Sequence, residues 1–261
     1  MKRSFQSVRE RREQIVSLLE NSPSQTLSVE SLAKQLSVSI MTIRRDLTVL
    51  DNMGLVQRNH GSATFMQKPN FEGDTHNKHI EKIKYALARK AASYIKENMT
   101  LFVNTSSTAL QTVDFLTTIP LTVATNNLQM SFKQMHPSST IILSGGEIHF
   151  PKAALVGDLA AESLAHITAD VAILGCSGIS PDKGISTGDF HESKINRLML
   201  KQAIDLVIVV ADYRKIGTVS NFRIAAVQDI DILITDTYGD PEIIKQIESH
   251  GVLVIQLDET N

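Results

Sequence analysis

In 261 residues the sequence has a single cysteine, Cys176. That excludes an intrachain disulfide framework and a zinc site built on cysteines, and it fits a reducing compartment. Long apolar runs are also missing. The longest, such as 206–211, fall far short of the ~20 residues that a bilayer-spanning helix needs. The N-terminus MKRSFQSVRERREQ has basic residues with no apolar stretch behind them, unlike a secretion signal. There is no internal repeat and no low-complexity tract. The expectation is a cytoplasmic globular protein with no membrane partner, no metal and no cofactor.

With 42% hydrophobic and 21% charged residues, the chain can build a sizeable core, as one large domain or two of ordinary size. The net charge of −2 conceals an asymmetry. Residues 1–65 hold nine Lys/Arg and six Asp/Glu, for +3, and residues 66–261 hold 17 and 22, for −5. A small basic part on a larger acidic one suits a nucleic-acid reader joined to a separate domain.

The spacing of Ile15, Leu18 and Leu19 predicts a first helix over roughly Ser7 to Asn21, stopped by Asn21-Ser22-Pro23-Ser24. Ser28 reads as the N-cap of a short helix with Leu32, Ala33 and Leu36. Ser37-Val38 reads as a tight turn, and Ser39 as a second N-cap before Ile43, Leu47 and Leu50. Gly54 is a suitable left-handed terminator. Two strand-like pieces then flank Asn59-His60-Gly61, a hairpin signal. Three helices followed by a hairpin is the winged helix-turn-helix order. Residues 66–77 have Pro, Gly and polar residues without period and read as a linker. From residue 78 a helix with Ile80, Ile83, Leu87 and Ile95 leads into short apolar strands alternating with helices. The strands are expected at 100–103, 121–124, 140–143, 171–175, 206–211, 232–235 and 252–256. That pattern indicates a mostly parallel, Rossmann-like α/β sheet. The expected domains are 1–65, 66–77 as linker, and 78–261.

In a helix-turn-helix the second helix presents its first residues to base edges, while flanking groups hold phosphates. Ser39, Met41, Thr42, Arg44, Arg45 and Thr48 are the candidates here. With Ile43 and Leu47 buried, Thr42, Arg45 and Thr48 turn away from the core. Arginine forks pair with guanine edges or phosphate oxygens. Arg58 and His60 at the hairpin are placed for backbone or minor-groove contact. The segment resembles the DNA-binding head of the DeoR family of bacterial regulators. The resemblance rests on Arg12, Ile15, Leu32-Ala33, Leu36, Ser39-x-x-Thr42-Ile43-Arg44-Arg45-Asp46-Leu47 and His60-Gly61-x-Ala63, with Ser62 where the family has a second glycine. Asp46 is expected to pair with a basic neighbour. The partner this implies is double-stranded operator DNA, bound by a homodimer or homotetramer.

In an open parallel sheet, ligands sit beyond the carboxyl ends of the strands near a switch in strand order. The residues following the expected strands are Asn104-Thr105-Ser106-Ser107-Thr108, Thr125-Asn126-Asn127, Ser144-Gly145-Gly146, Ser177-Gly178 and Asp212 with Lys215. Hydroxyls and free N–H groups at helix starts, with one lysine, suit an anion. Each such loop alone is ordinary capping chemistry. This part resembles the DeoR-type sensor domain, similar in fold to ribose-5-phosphate isomerase, glucosamine-6-phosphate deaminase and CoA transferases. The matches are Ser107-Thr108, Thr125-Asn126, Gly145-Gly146, Gly157, Leu174-Gly175, Gly178-Ile179, Gly184, Arg197 with Met199, and Asp212 with Lys215-x-Gly217. The resemblance implies a phosphorylated sugar-like effector and a repressor of a carbohydrate operon. Asn104 and Ser106 stand where the family has aspartate and glycine, and Tyr213-Arg214 where it has small residues. An altered ligand preference is expected.

The rival reading is a sugar-phosphate isomerase or deaminase-like enzyme with a DNA-binding head. Its acid and base candidates are Asp189, His191 and Glu192. Their bland role is a polar start to the helix that holds Arg197, and the attached head favours sensing over turnover. No catalytic residue is assigned.

Overall fold

Ser28 and Ser39 each begin a helix in the computed structural model, which describes residues 5–52, 56–59, 61–65, 78–150 and 152–258. The chain divides into two units between His79 and Ile80. The first contains α1 (Phe5–Glu20), β1 (Thr26–Ser28), α2 (Val29–Gln35), α3 (Ile40–Asn52), β2 (Val56–Asn59) and β3 (Ser62–Phe65). Ser28 Oγ accepts the Ser31 N–H at 3.1 Å, and Ser39 Oγ accepts the Thr42 N–H at 3.1 Å. Each bond satisfies a donor that the first helical turn leaves open.

The turn between α2 and α3 closes as a Schellman motif. The Val38 N–H reaches Ala33 O at 3.1 Å, and Ser37 N–H reaches Lys34 O at 3.4 Å, with Ser37 at φ 51°. Ile15, Leu19, Leu32, Ile43, Leu47, Leu50, Val56 and Phe65 form the core of this unit. Burial of each is worth roughly 1.5–3 kcal/mol.

The hairpin has a third strand that the sequence pattern does not show. Strand β1 pairs antiparallel with β3, giving the order β1-β3-β2. Three residues are too few for alternation to register. Ser62 pairs with both Ser28 and Asn59 in regular antiparallel geometry, so a glycine is not required there. The expected terminator Gly54, His60 and the linker 66–77 lie outside the described residues.

The division falls in the first turn of α4 (Lys78–Ala92), which buries Ile80, Ile83 and Leu87. The helix expected to carry Ile95 stops at Ala92. Beyond Lys90 the amides of Ser93, Tyr94 and Ile95 bond three residues back, and Ile95 stays buried in this tighter turn. Then follow β4 (Thr100–Val103), α5 (Ser107–Thr112), β5 (Thr122–Thr125), β6 (Thr140–Leu143), β7 (Glu147–His149), β8 (Ala154–Val156), α6 (Asp158–Ala165), β9 (Ala169–Gly175), β10 (Gly178–Ser180), β11 (Gly184–Thr187), α7 (Phe190–Gln202), β12 (Ala203–Val210), β13 (Phe222–Ala225), β14 (Ile232–Asp236), α8 (Pro241–Ser249) and β15 (Leu253–Leu257).

All seven expected strands join one sheet in the order β15-β14-β12-β9-β4-β5-β6, and every pairing in it is parallel. Consecutive residues Val171 to Gly175 are all buried, so both faces of β9 are covered. Strand order reverses between β4 and β9, which pair through Leu101–Val171, Phe102–Ala172 and Val103–Ile173. Two small antiparallel sheets decorate this frame, β7-β8 and β10-β11-β13.

Candidate functional site

On α3, Arg44 and Arg45 are exposed and Met41 is 56% exposed, while Ile43, Leu47 and Leu50 face inward. Asp46 is the charged residue on the buried side. It accepts from Arg11 Nε at 2.6 Å and Arg12 Nε at 3.0 Å. A carboxylate bonded by two guanidinium groups fixes α3 against α1 and so fixes which side of α3 turns outward. The sequence pointed to a basic partner for Asp46; the second, Arg11, had no separate signal.

Thr42 is half-buried, its hydroxyl 2.8 Å from Ser39 Oγ at the start of α3. Thr48 is exposed, but its hydroxyl donates to Arg44 O and accepts from Arg58 Nη1, both at 2.8 Å. The Arg58 N–H in turn donates to Asp51 Oδ1 at 3.1 Å. These bonds tie β2 to α3 and carry Arg58 to the same surface as Arg44 and Arg45. His60 lies outside the described residues.

At the strand switch, the side chain of Asn104 is buried and joined to its neighbours on both sides. Oδ1 accepts from Gly175 N at 3.0 Å and Ser106 N at 3.2 Å; Nδ2 donates to Gly175 O at 2.9 Å and Asn196 Oδ1 at 3.3 Å. A carboxylate could not make the last two bonds. The amide expected to meet a ligand therefore stitches β4 to β9. The next residue but one is coupled to this stitch. A Cβ at Gly175 would lie 2.0 Å from Ser106 Oγ, so Ser106 occupies space that only glycine leaves open.

Three further expected ligand residues are also turned into the fold. Thr125 is fully buried, donates to Val103 O and accepts from Asn127 N. Asn127 caps the next turn through Gln129 N at 3.0 Å. Asn126 is fully buried with Nδ2 on Leu155 O at 3.3 Å, and its Oδ1 has no partner among the described residues. Gly145 is exposed. Gly146 is held by close approach, since a Cβ there would meet Val156 O at 2.4 Å. Gly178 is buried and pairs with Ser186, whose hydroxyl donates to Gly178 O at 3.1 Å.

What remains accessible at this edge is Thr105, Ser106, Ser107, Ser177 and Lys215, with Thr108 just beneath. Ser106 caps α5 by accepting the Ala109 N–H at 3.4 Å; Ser107 and Thr108 form the first turn, whose amides have no intrahelical acceptor. Burial draws the Lys215 ammonium below its usual range; Asp212 opposes this and Arg214 adds to it. The Arg214 charge is itself bound to Asp212 through Nε at 2.8 Å and Nη2 at 3.1 Å. Burial pushes the Cys176 thiol up to about 12 against the pull of Lys215.

Sequence reasoning missed Lys152, in the β7–β8 connection, whose Nζ lies 3.1 Å from Glu192 Oε2. Nothing in the pattern around it signals a site. Glu192 entered only as an enzyme candidate, and the structure buries it beside Thr105.

A small head that exposes arginines on a helix-turn-helix, and a parallel α/β domain with a polar edge at its strand switch, define a transcription regulator with its own sensing domain. Residues 11–68 match the DeoR-like helix-turn-helix domain, and residues 79–237 match the DeoR C-terminal sensor domain. The chain belongs to the DeoR family. It is 30% identical over 249 residues to the HTH-type transcriptional regulator GolR of Listeria innocua, covering 94% of this chain and 97% of that one. It is 28% identical over 230 residues to the glycerol-3-phosphate regulon repressor of Escherichia coli, covering 87% and 90%. Among solved structures it is similar to ribose 5-phosphate isomerase of Methanocaldococcus jannaschii, with 15% identity, a TM-score of 0.38 and coverage of 52% and 54%. Among the described residues no helix is long and apolar enough to cross a membrane.

Proposed function

We propose that this chain is a cytoplasmic repressor of a carbohydrate-utilisation operon, released from its operator by a phosphorylated sugar or sugar acid. The observation that carries the DNA half is the α3 surface. Arg44 and Arg45 face outward because Asp46 is anchored behind them by Arg11 and Arg12. Met41 and Arg58 extend the same surface, with Ser39, Thr42 and Thr48 arranging its backbone and side chains. The effector half rests on the accessible loop Thr105–Thr108 and Lys215, where hydroxyls, first-turn amides and one cation meet at the strand switch. The effector's name is left to experiment; the relatives' names point to the class.

The same geometry argues for sensing over turnover. Both oxygens of Glu192 are occupied by donors, and Asp189 caps α7 through the His191 N–H. Three donors on Glu192 use three of a carboxylate's roughly four acceptor positions, which suits a fixed hydrogen-bond acceptor better than a base. One recognition helix spans only a few base pairs, so paired half-sites call for a homodimer or homotetramer.

Fluorescence anisotropy on operator DNA at fixed salt tests the placement of α3, with sedimentation of the complex giving its stoichiometry. Arg45→Ala is expected to weaken binding by roughly 1–3 kcal/mol, the range for one good base contact. Arg44→Ala weakens it more evenly across sequences if it holds phosphate. Unchanged affinity in both variants, or a strict monomer on DNA, contradicts the reading.

A further inference from the structure

The regulator reading leaves one buried carboxylate without a task. Glu192, in the first turn of α7, is 3% exposed. Donors from three elements converge on it. Thr105 Oγ1, beyond β4, donates to Oε1 at 2.8 Å; Thr187 Oγ1, at the end of β11, donates to Oε2 at 3.2 Å; Lys152 Nζ reaches Oε2 at 3.1 Å. Capping does not explain it, because Asp189 already caps α7. Stability does not explain it well either, because apolar side chains of similar volume often serve a core as well as a buried ion pair does. The Lys152 side chain is 41% exposed, so one side of the pair faces solvent.

Two adjacent residues of the same loop diverge at this point. Thr105 turns to Glu192, while Ser106 turns to Gly175, two residues before Ser177, whose carbonyl meets the Thr218 hydroxyl that also bonds Lys215 O. The accessible edge thus has two chemically different ends. Toward Lys215, Asp212 is held bidentately by Arg214, and a lysine with the hydroxyls of Ser106 and Ser107 suits an anion. Toward Thr105, a carboxylate and an ammonium stand together with no net charge. A hydroxyl fits, since it donates to the carboxylate and accepts from the ammonium. Asn126 Oδ1, fully buried near Leu155 at the base of the same hairpin, is a further acceptor without a donor among the described residues.

We propose that the Lys152–Glu192 pair is the hydroxyl-reading end of the effector site. The effector then lies with its phosphate toward Ser107, Thr108 and Lys215 and its neutral, hydroxylated end on Lys152 and Glu192. It is a polyol or sugar monophosphate. This rests on the phosphate reading given above, and the test separates the two.

Calorimetry on the full chain uses inorganic phosphate, glycerol 3-phosphate, ribose 5-phosphate and glucose 6-phosphate, against wild type, Glu192→Gln and Lys152→Met. The tightest ester is expected to lose about tenfold or more in both variants while inorganic phosphate changes by less than about twofold, because only the ester places hydroxyls on the pair. Thermal melts accompany each variant. If Glu192→Gln fails to fold, Lys152→Met, altered at a half-exposed side chain, carries the comparison. An unchanged ester-to-phosphate ratio in the folded variants overturns the hydroxyl-reading role and leaves the phosphate reading standing. Failure of wild type to bind inorganic phosphate or any of the esters overturns the phosphate reading and this inference with it.

Discussion

On α3, Arg44 and Arg45 are exposed and Asp46 is buried on two arginines. At the sheet edge the division is different. Asn104, Thr125, Asn126 and Asn127 are all buried, and their polar groups mostly bind the fold itself. A surface that reads a macromolecule must stand open before its partner arrives. At the sheet edge most of these polar side chains hold the loops in place. The same residue types therefore mean different things in the two units.

The sharpest way to break this comparison is to remove the anchor behind the α3 surface. Asp46→Ala leaves two guanidinium groups without their acceptor. It is expected to destabilise the first unit by about 2–4 kcal/mol, somewhat below a fully buried pair because Arg12 keeps contact with water. Calorimetric scanning should show the loss in the transition of that unit alone. An equal loss in both units, or none, would show that Asp46 does not anchor α3 in this way.

The second unit has a pH signature of its own. Burial raises Asp236 from 3.8 to about 6, against the N–H bonds from Tyr213 and Tyr238 and with a push from Asp212. A folded pKa above the unfolded one means that the folded state holds its proton more tightly. The stability from this group is full below pH 3.8 and falls as pH rises toward about 6. The fall is at most ~3 kcal/mol. Asp212 has its own window. Burial pushes it up, but bonds and charges from Arg214 and Lys215 outweigh that and leave it lowered. It therefore stabilises above the unfolded value and loses that contribution only at more acid pH. Urea unfolding between pH 4 and 7 should show a decline that Asp236→Asn removes. A decline that survives this change belongs to another group.

A smaller effect is expected at the stitch between β4 and β9. Asn104→Asp removes the donor to Gly175 O and Asn196 Oδ1 and sets a carboxylate oxygen against both. The cost is about 1–3 kcal/mol, read by urea unfolding of the second unit. A neutral result would mean that the buried amide is not what holds the switch point together.

The legible parts of this molecule share a physical cause. The seven sheet strands are continuous apolar runs covered on both faces, so 171–175 and 206–211 announce themselves. Ser28 and Ser39 are legible because capping is local chemistry between residues three apart. The pairs β1–β3 and β7–β8 were not legible, because three-residue strands have no period and their partners lie elsewhere in the chain. The candidate loops follow from their position after the strands, yet which of their residues face inward depends on contacts such as Asn104 with Gly175, 71 residues apart. Lys152 and Glu192, 40 residues apart, meet only in three dimensions.

The most direct test of the central claim is a thermodynamic box on the full chain. Operator is titrated with and without the saturating phosphate ester that binds best, and that ester is titrated with and without operator. The account expects the ester to weaken operator binding by roughly 5- to 150-fold, the usual span of allosteric coupling, and linkage requires operator to weaken ester binding by the same factor. Tighter operator binding with the ester would contradict release by induction. Equal affinities on both arms would contradict regulation through this site altogether.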